Sequence, residues 1–315
     1  MSVLPSIQSI SARLRFKQLA FLIALGEAGS LHRAAEQLGM TQPGASKMLH
    51  EVEATFGTAL FVRSPRGMVA NELGRCVLRY AKLSHSDLGH LREEISGVLS
   101  GKGGRLAVGA IGGALPAVVV RALTRLRRAQ PALSVSVKED TSAGLLAALD
   151  DGRLDLAIGR TTVALEPERY AFEPLLEEQV AVAVGPRHPW AHARRVTLQQ
   201  LSQAGWVLYP SPMPLRSLLE REMKEAGLPF PEHATETSSI FVTLLLLQEE
   251  VNVVALLSSE TMAFYGRCGM ARELPIKIRS RTEPYGIVTR QGAALSPIAA
   301  LMVDSLKTEA RGLSA

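Results

Sequence analysis

Gln42, Ser46 and His50 recur every four residues in a segment of helical periodicity, with Pro43 and Lys47 alongside. One helix face therefore carries side chains that donate and accept hydrogen bonds. The chemistry suits base edges: a Gln amide matches adenine, and a Ser hydroxyl matches either base. The opposite face, Ala45, Leu49, Val52 and Phe56, is apolar and reads as core. Thr41 is placed to cap this helix and Pro43 falls in its first turn, where a missing N–H costs little, so the helix is expected to run to about Thr55.

A shorter helix precedes it over Ser30 to Leu38, with Ser30 as its expected cap, Ala34 and Ala35 for close packing, and Gly39 just past its end. Two such helices around a tight turn have the build of a helix–turn–helix, whose second helix enters the major groove while the first braces it across the backbone. Next, Leu60 to Val69 reads as two extended arms about a turn with Pro65 second and Gly67 fourth. Arg63 and Arg66 bring cations to this hairpin, for phosphates or a minor groove. A surface helical hairpin with a solvated basic loop would account for either half alone, but not for the caps, the small packing residues and the basic tip together. The candidate DNA-contacting residues are Ser30, Arg33, Thr41, Gln42, Pro43, Ser46, Lys47, His50, Arg63 and Arg66.

The elements that must position this surface follow. From Leu73 to Leu99 the chain has no proline, and Leu73, Val77, Tyr80, Leu88, Leu91, Ile95 and Val98 step three or four apart except where Ser84 intervenes. That predicts a helix of about 28 residues, roughly 40 Å long, with a heptad-like seam that calls for a partner helix. A dimer would present two recognition helices to a two-fold-related DNA site. Ser100 to Gly104 then breaks the pattern. Strands are predicted at Arg105–Ala110, Val135–Lys138 and Leu154–Gly159, alternating with helices at Leu115–Ala129 and Ser142–Asp151, a βαβαβ order that implies a parallel sheet. A second unit is expected from Gln179 to about Ile278, with strands at Val180–Val184, Trp206–Tyr209 and Asn252–Leu256 and helices near Pro214–Ala226 and Ser239–Glu249. A last strand and helix follow at Tyr285–Thr289 and Pro297–Lys307.

Ligands of open parallel sheets bind beyond the strands' carboxyl ends, where helix N-termini converge. Three places qualify: Ile111-Gly112-Gly113, Thr141-Ser142, and Ser211-Pro212 ahead of Arg216. Arg160, just after the third strand, faces the region between the units. Amides, hydroxyls and guanidiniums together fit a small carboxylate. Taken singly, Gly-Gly reads as a turn, Thr141 as a cap and Arg216 as a surface ion pair.

Charge is unevenly placed. Residues 1–103 hold 12 Lys/Arg against 8 Asp/Glu, and the other 212 hold 23 against 22, so the basic excess falls on the proposed DNA-binding third. Two cysteines, Cys76 and Cys268, make neither a disulfide framework nor a metal cluster, and Cys76 reads as a small buried residue. The apolar run Leu19 to Leu25 follows Arg13, Arg15 and Lys17 but merges into the module, so it reads as a first helix and not a signal peptide. Ile240 to Leu247 is too short to span a bilayer. A cytoplasmic protein without membrane association is expected.

An enzyme is the class to exclude. His188 and His192 stand four apart, but Pro189 lies between them and no metalloprotease Glu follows, so an exposed loop is expected there. The glycine clusters lack the Lys-Ser/Thr of a phosphate loop, and no nucleophile elbow occurs. No catalytic residues, cofactor or metal are expected.

Phe16 to Ala81 resembles the N-terminal domain of the LysR-type transcriptional regulators. Gly29-Ser30, Ala34-Ala35, Leu38, Thr41-Gln42-Pro43, Ser46, Glu53, Phe56-Gly57, Leu60-Phe61, Arg63 and Gly74 stand at that family's spacings. Gly44 departs from the usual Ala or Val, and Ala70-Asn71 replaces the usual Leu-Thr, leaving Asn71 as the cap of the next helix. The resemblance implies an α/β chain with an N-terminal winged helix-turn-helix (14–72), a long linker and dimerisation helix (73–100), and a C-terminal two-subdomain periplasmic-binding-protein-like effector domain (104–310). Subdomain I would hold about 104–176 and 284–310, and subdomain II about 177–283, joined by two crossings. It further implies a homodimer or homotetramer on double-stranded promoter DNA, contact with RNA polymerase, and a small-molecule effector bound between the subdomains. Much of the family carries Ser or Thr where Gly113 stands. Ile158-Gly159-Arg160, Phe172 to Leu175 and His188-Pro189 look most like the branch holding regulators of sugar-binding proteins and of protocatechuate catabolism, which tilts the effector towards a small organic or aromatic acid. A stand-alone solute-binding protein is the alternative, against which the N-terminal module and linker helix argue.

Overall fold

The computed structural model describes residues 5–65, 67–100 and 104–314. The chain forms two compact units, the first ending with a long helix and the second opening with the strand after it.

In the first unit, α1 (Ile7–Arg13) leads into α2 (Phe16–Ala28), α3 (Leu31–Gln37) and α4 (Gln42–Phe56). Their core is Phe21, Leu22, Leu25, Ala34, Ala35, Ala45, Leu49 and Val52; the two alanines of α3 admit α2 and α4 closely because they add no bulk. Thr41 caps α4 as expected, its Oγ1 accepting from the Gly44 amide at 3.3 Å. Ser30 sits at the α3 cap position with extended backbone, yet its hydroxyl makes no capping bond, so there the backbone turn alone starts the helix. Strands β1 (Phe61–Ser64) and β2 (Gly67–Ala70) pair antiparallel with Ser64 opposite Gly67. Gly67 has φ +109°, and a Cβ there would meet the Gly29 carbonyl oxygen at 2.3 Å. Only glycine lets the hairpin approach the α2–α3 turn, where the Met68 amide donates to Gly29 O at 2.7 Å.

Helix α5 (Glu72–Ser100) has 29 residues. Asn71 caps it, Oδ1 accepting from the Gly74 amide at 2.8 Å while Nδ2 donates to Ala59 O at 2.7 Å. Val77 and Leu78 pack on the core, whereas Leu73, Tyr80, Leu88, Leu91 and Ile95 are 40–64% exposed. Among the described residues the seam is thus largely uncovered; the side chain of Val98, its expected last member, lies outside them. Cys76 is exposed, not buried: it lies about 100° around the helix from Val77, which faces the core.

The second unit holds two five-stranded sheets. In one, β3 (Arg105–Ala110) pairs parallel with β4 (Ser134–Glu139) and β5 (Leu156–Gly159), with α6 (Val120–Ala129), preceded by a π-helical turn at Leu115–Val119, and α7 (Ser142–Asp150) as crossovers. The βαβαβ run is parallel as expected, and the sheet becomes mixed beyond it. The returning β12 (Tyr285–Arg290) runs antiparallel to β5 and to β6 (Tyr170–Leu176), because these strands arrive without the helical crossover that enforces parallel pairing. β6 was not foreseen: Pro174 interrupts its pattern and is tolerated because β6 is an edge strand.

The other sheet has the order β11 (Arg272–Glu273), β7 (Val180–Val184), β10 (Val253–Ser258), β8 (Gly205–Leu208), β9 (Ala234–Glu236). Helices α8 (Leu198–Leu201), α9 (Pro214–Glu225), α10 (Ile240–Glu249) and α11 (Ser259–Arg267) belong with it, and α12 (Pro297–Ser314) returns to pack on α6. The chain crosses between sheets twice, after β6 and before β12. His188, expected in an exposed loop, is buried, its Nδ1 accepting from the Trp190 amide at 2.9 Å and its ring 5.1 Å from that of Trp190. The turn at Pro189 folds the imidazole inward, and burial pushes its pKa down. Among the described residues no helix is long and apolar enough to cross a membrane, and no group of His, Cys, Asp and Glu has metal-holding geometry.

Candidate nucleic-acid interface and ligand cleft

The α4 surface opposite Ala45, Leu49 and Val52 carries Gln42, Pro43, Lys47 and His50 exposed and Ser46 half-buried. Thr41, Arg33 on α3 and Arg63 on β1 are also exposed, and Ser30 is half-buried; Arg66 lies outside the described residues. Besides its core contacts, α4 is held by two carboxylates. Glu53 Oε1 accepts from the amides of Leu60 at 2.8 Å and Phe61 at 3.2 Å, joining α4 to the start of the hairpin. Glu51 accepts from Gln18 Nε2 at 3.3 Å, and the Oε1 of that buried Gln accepts from the Arg15 amide, closing the start of α2. Both acids are thereby tied to the scaffold, and the proposed reading face contains no carboxylate.

In the second unit, Ile111-Gly112-Gly113 follows β3, Thr141-Ser142 starts α7 after β4, and Arg160 follows β5, so three carboxyl ends converge as their order predicts. Thr141 Oγ1 accepts from the Gly144 amide at 3.2 Å, a capping role, and Ser142 Oγ accepts from the Arg160 amide at 3.1 Å. The glycines mark where the other subdomain closes in. A Cβ on Gly112 would lie 2.6 Å from Ile240 Cδ1 and 2.9 Å from Glu139 Oε1; one on Gly113 would lie 2.4 Å from Glu178 Oε1 and 3.2 Å from Ser258 Oγ.

Both predicted guanidiniums are engaged. Arg160 donates from Nη2 to Glu178 Oε2 at 2.6 Å and to Thr282 Oγ1 at 3.3 Å, and from Nε to Glu283 O at 2.9 Å. Glu178 lies on the outward crossing and Thr282 and Glu283 on the return, so one side chain clasps both. Arg216 pairs with Glu220 at 2.6 Å and Glu236 at 2.9 Å and lies 4.4 Å from the Phe230 ring centre. Its expected role as an open anion site therefore gives way to a structural one. Ser211 and Pro212 are exposed in the loop before α9.

The sequence reading missed Glu139, Glu178, Tyr209, Glu260 and Tyr285. Burial, then the Glu178 charge, pushes the Glu260 carboxyl up. Burial raises both tyrosines as well, helped by Glu178 and Glu139 at Tyr209 and by Glu260 and Glu178 at Tyr285. A cavity of about 310 Å³ lies elsewhere, lined by Leu198, Glu222, Glu225, Ala226, Ile276, Lys277 and Arg279.

A winged helix–turn–helix with a long apolar-seamed helix, followed by a two-sheet domain crossed twice by the chain, defines a ligand-responsive DNA-binding regulator. Residues 16–75 match the model of bacterial regulatory helix-turn-helix proteins of the lysR family, and residues 100–311 match the LysR substrate binding domain. The chain belongs to the LysR family of DNA-binding transcriptional regulators, and is a transcription regulator and not an enzyme. It is 31% identical over 306 residues to the HTH-type transcriptional regulator GbpR of Azospirillum brasilense, covering 96% of this chain and 89% of the relative. Its fold is similar to the crystal structure of CbnR, a LysR family transcriptional regulator, with TM-score 0.66, 19% identity, and 94% and 99% of the two chains covered. Full-length CbnR complexed with its target DNA gives TM-score 0.65 at 19% identity, covering 94% and 100%.

Proposed function

We propose that the protein binds promoter DNA as a homodimer or homotetramer, places α4 in the major groove, and changes the spacing of paired modules when a small molecule enters between its subdomains. The exposed polar face of α4, free of carboxylates and fixed at both ends, carries this reading. The DNA complex of CbnR, a protein of similar fold, supports it. Gln42 and Ser46 read base edges, Lys47, Arg33 and Arg63 meet phosphates, and the α5 seam pairs with another copy. Altered module spacing bends the DNA differently and so changes access of RNA polymerase.

The expectation of an organic-acid effector rested on loop amides, hydroxyls and a family-branch resemblance together with the guanidiniums of Arg160 and Arg216. Both hold carboxylate partners, so an anionic effector would have to displace Glu178 from a buried pair. Footprinting on the protein's own upstream DNA tests the regulator reading. Gln42→Ala should cost roughly 1–3 kcal/mol and relax base preference at one position of each half-site, and Arg63→Ala should weaken all sequences alike. Unchanged binding in both variants would remove the assigned surface.

A further inference from the structure

We infer that the cleft between the subdomains takes a small ligand bearing a cationic amine; this rests on the cleft being the effector site proposed above. The Gly112-Gly113 loop is ringed by acid: Glu139 ends β4 and lies against Gly112, Glu178 lies against Gly113, and Glu260 stands in the first turn of α11, close enough to Glu178 for their charges to interact.

The cations nearby offset only Glu178 among the three. Arg160 is spent on Glu178 and the return crossing, and Lys138 turns to Asp140 at 2.5 Å. Among the described residues neither Glu139 nor Glu260 has an ion-pair partner. An incoming carboxylate would therefore meet the exposed Glu139 and the half-buried Glu260, and the repulsion is stronger at Glu260, where water screens less.

A second observation is independent of charge. Tyr285 is 1% exposed, and its hydroxyl has no hydrogen-bond partner among the described residues; the Arg160 guanidinium carbon is 5.9 Å from its ring centre, and the charges of Glu178 and Glu260 reach it. A buried hydroxyl left unsatisfied calls for a partner that the chain does not supply. A protonated amine is a compact charge with up to three donors. It can give one hydrogen bond to Glu260, one to Glu178 and one to the oxygen of Tyr285, answering the excess charge and the orphan hydroxyl together.

The test is calorimetric titration of the full chain with benzylamine, benzyl alcohol and benzoate, which share a skeleton and differ in charge, and with putrescine. Benzylamine or putrescine should bind at least 10-fold more tightly than benzyl alcohol and benzoate. Glu260→Gln and Tyr285→Phe should each weaken the amine at least 5-fold with little change in Tm. Tighter binding of benzoate, equal binding of benzyl alcohol, no amine binding at millimolar concentration, or an amine response untouched by both Glu260→Gln and Tyr285→Phe overturns the inference. Upstream-DNA binding is measured on the same preparation. Its loss with amine binding intact would count against the regulator reading and leave the ligand class standing.

Discussion

The Arg160 guanidinium and the Glu178 carboxylate meet at 2.6 Å with both side chains about 95% buried, and through them the two crossings between the subdomains are joined. A buried pair stabilises only modestly against apolar substitutes, because both charges lose their water. Breaking it from one side is a different matter.

Glu178→Ala should therefore destabilise the second unit by about 3–5 kcal/mol, leaving Arg160 charged and unpaired. The double variant Arg160→Met/Glu178→Leu should recover much of that loss. Urea denaturation of the wild type, Glu178→Ala and the double variant measures both. A double variant as unstable as the single one would show that packing, not the stranded charge, sets the cost.

Glu53 is the strut between α4 and the hairpin. Glu53→Ala leaves the amides of Leu60 and Phe61 without their acceptor, for a loss of about 1–3 kcal/mol. Glu53→Gln keeps a carbonyl oxygen and should retain part of that. DNA affinity should fall more in Glu53→Ala than in Glu53→Gln, read by fluorescence anisotropy at constant salt.

Leu91 and Ile95 lie on the exposed seam of α5, 52% and 51% accessible in the single chain. Leu91→Asp should separate the oligomer, lowering the mass seen by light scattering, while the far-ultraviolet spectrum of the subunit changes little. An unchanged mass would mean that the copies pair elsewhere.

Glu222 sets an acid limit on the second unit. Burial pushes its carboxyl up, but the amides of Arg279 and Ser280, donating at 3.0 and 2.7 Å, hold the charged form and bring the pKa below its ordinary 4.5. A lowered folded-state pKa stabilises above about 4.5 and loses that contribution as pH falls through the folded value. Glu222→Gln should therefore be less stable than wild type at pH 7, with the gap narrowing below pH 4.5. Denaturation midpoints at pH 7, 5 and 3.5 test the sign.

Local rules made much of this molecule legible. Thr41 and Asn71 cap the helices they precede, and strand β3 has the bounds expected for it. The second-unit helices that were expected fall within a residue or two of their ends, except that a π-helical turn opens the first and the C-terminal one runs on to Ser314, whereas α8 and α11 were not foreseen. β6, β9 and β11 escaped because an edge strand broken by Pro174 and strands of three and two residues carry no usable period. His188 and Cys76 were misplaced because their burial depends on which side of a turn or helix meets the core.

The sequence by itself determined the helix–turn–helix, its wing, the long seamed helix and the parallel strand–helix units, since caps, turns and periodicity act over a few residues. Tertiary structure alone decided the polarity of the cleft. Nothing local to Glu139 or Glu178, drawn from two distant segments, announces that both lie against one glycine turn. Nor does a sequence show that Arg160 and Arg216 spend their charge within the fold, because pairing and desolvation are set by what the chain brings together in space.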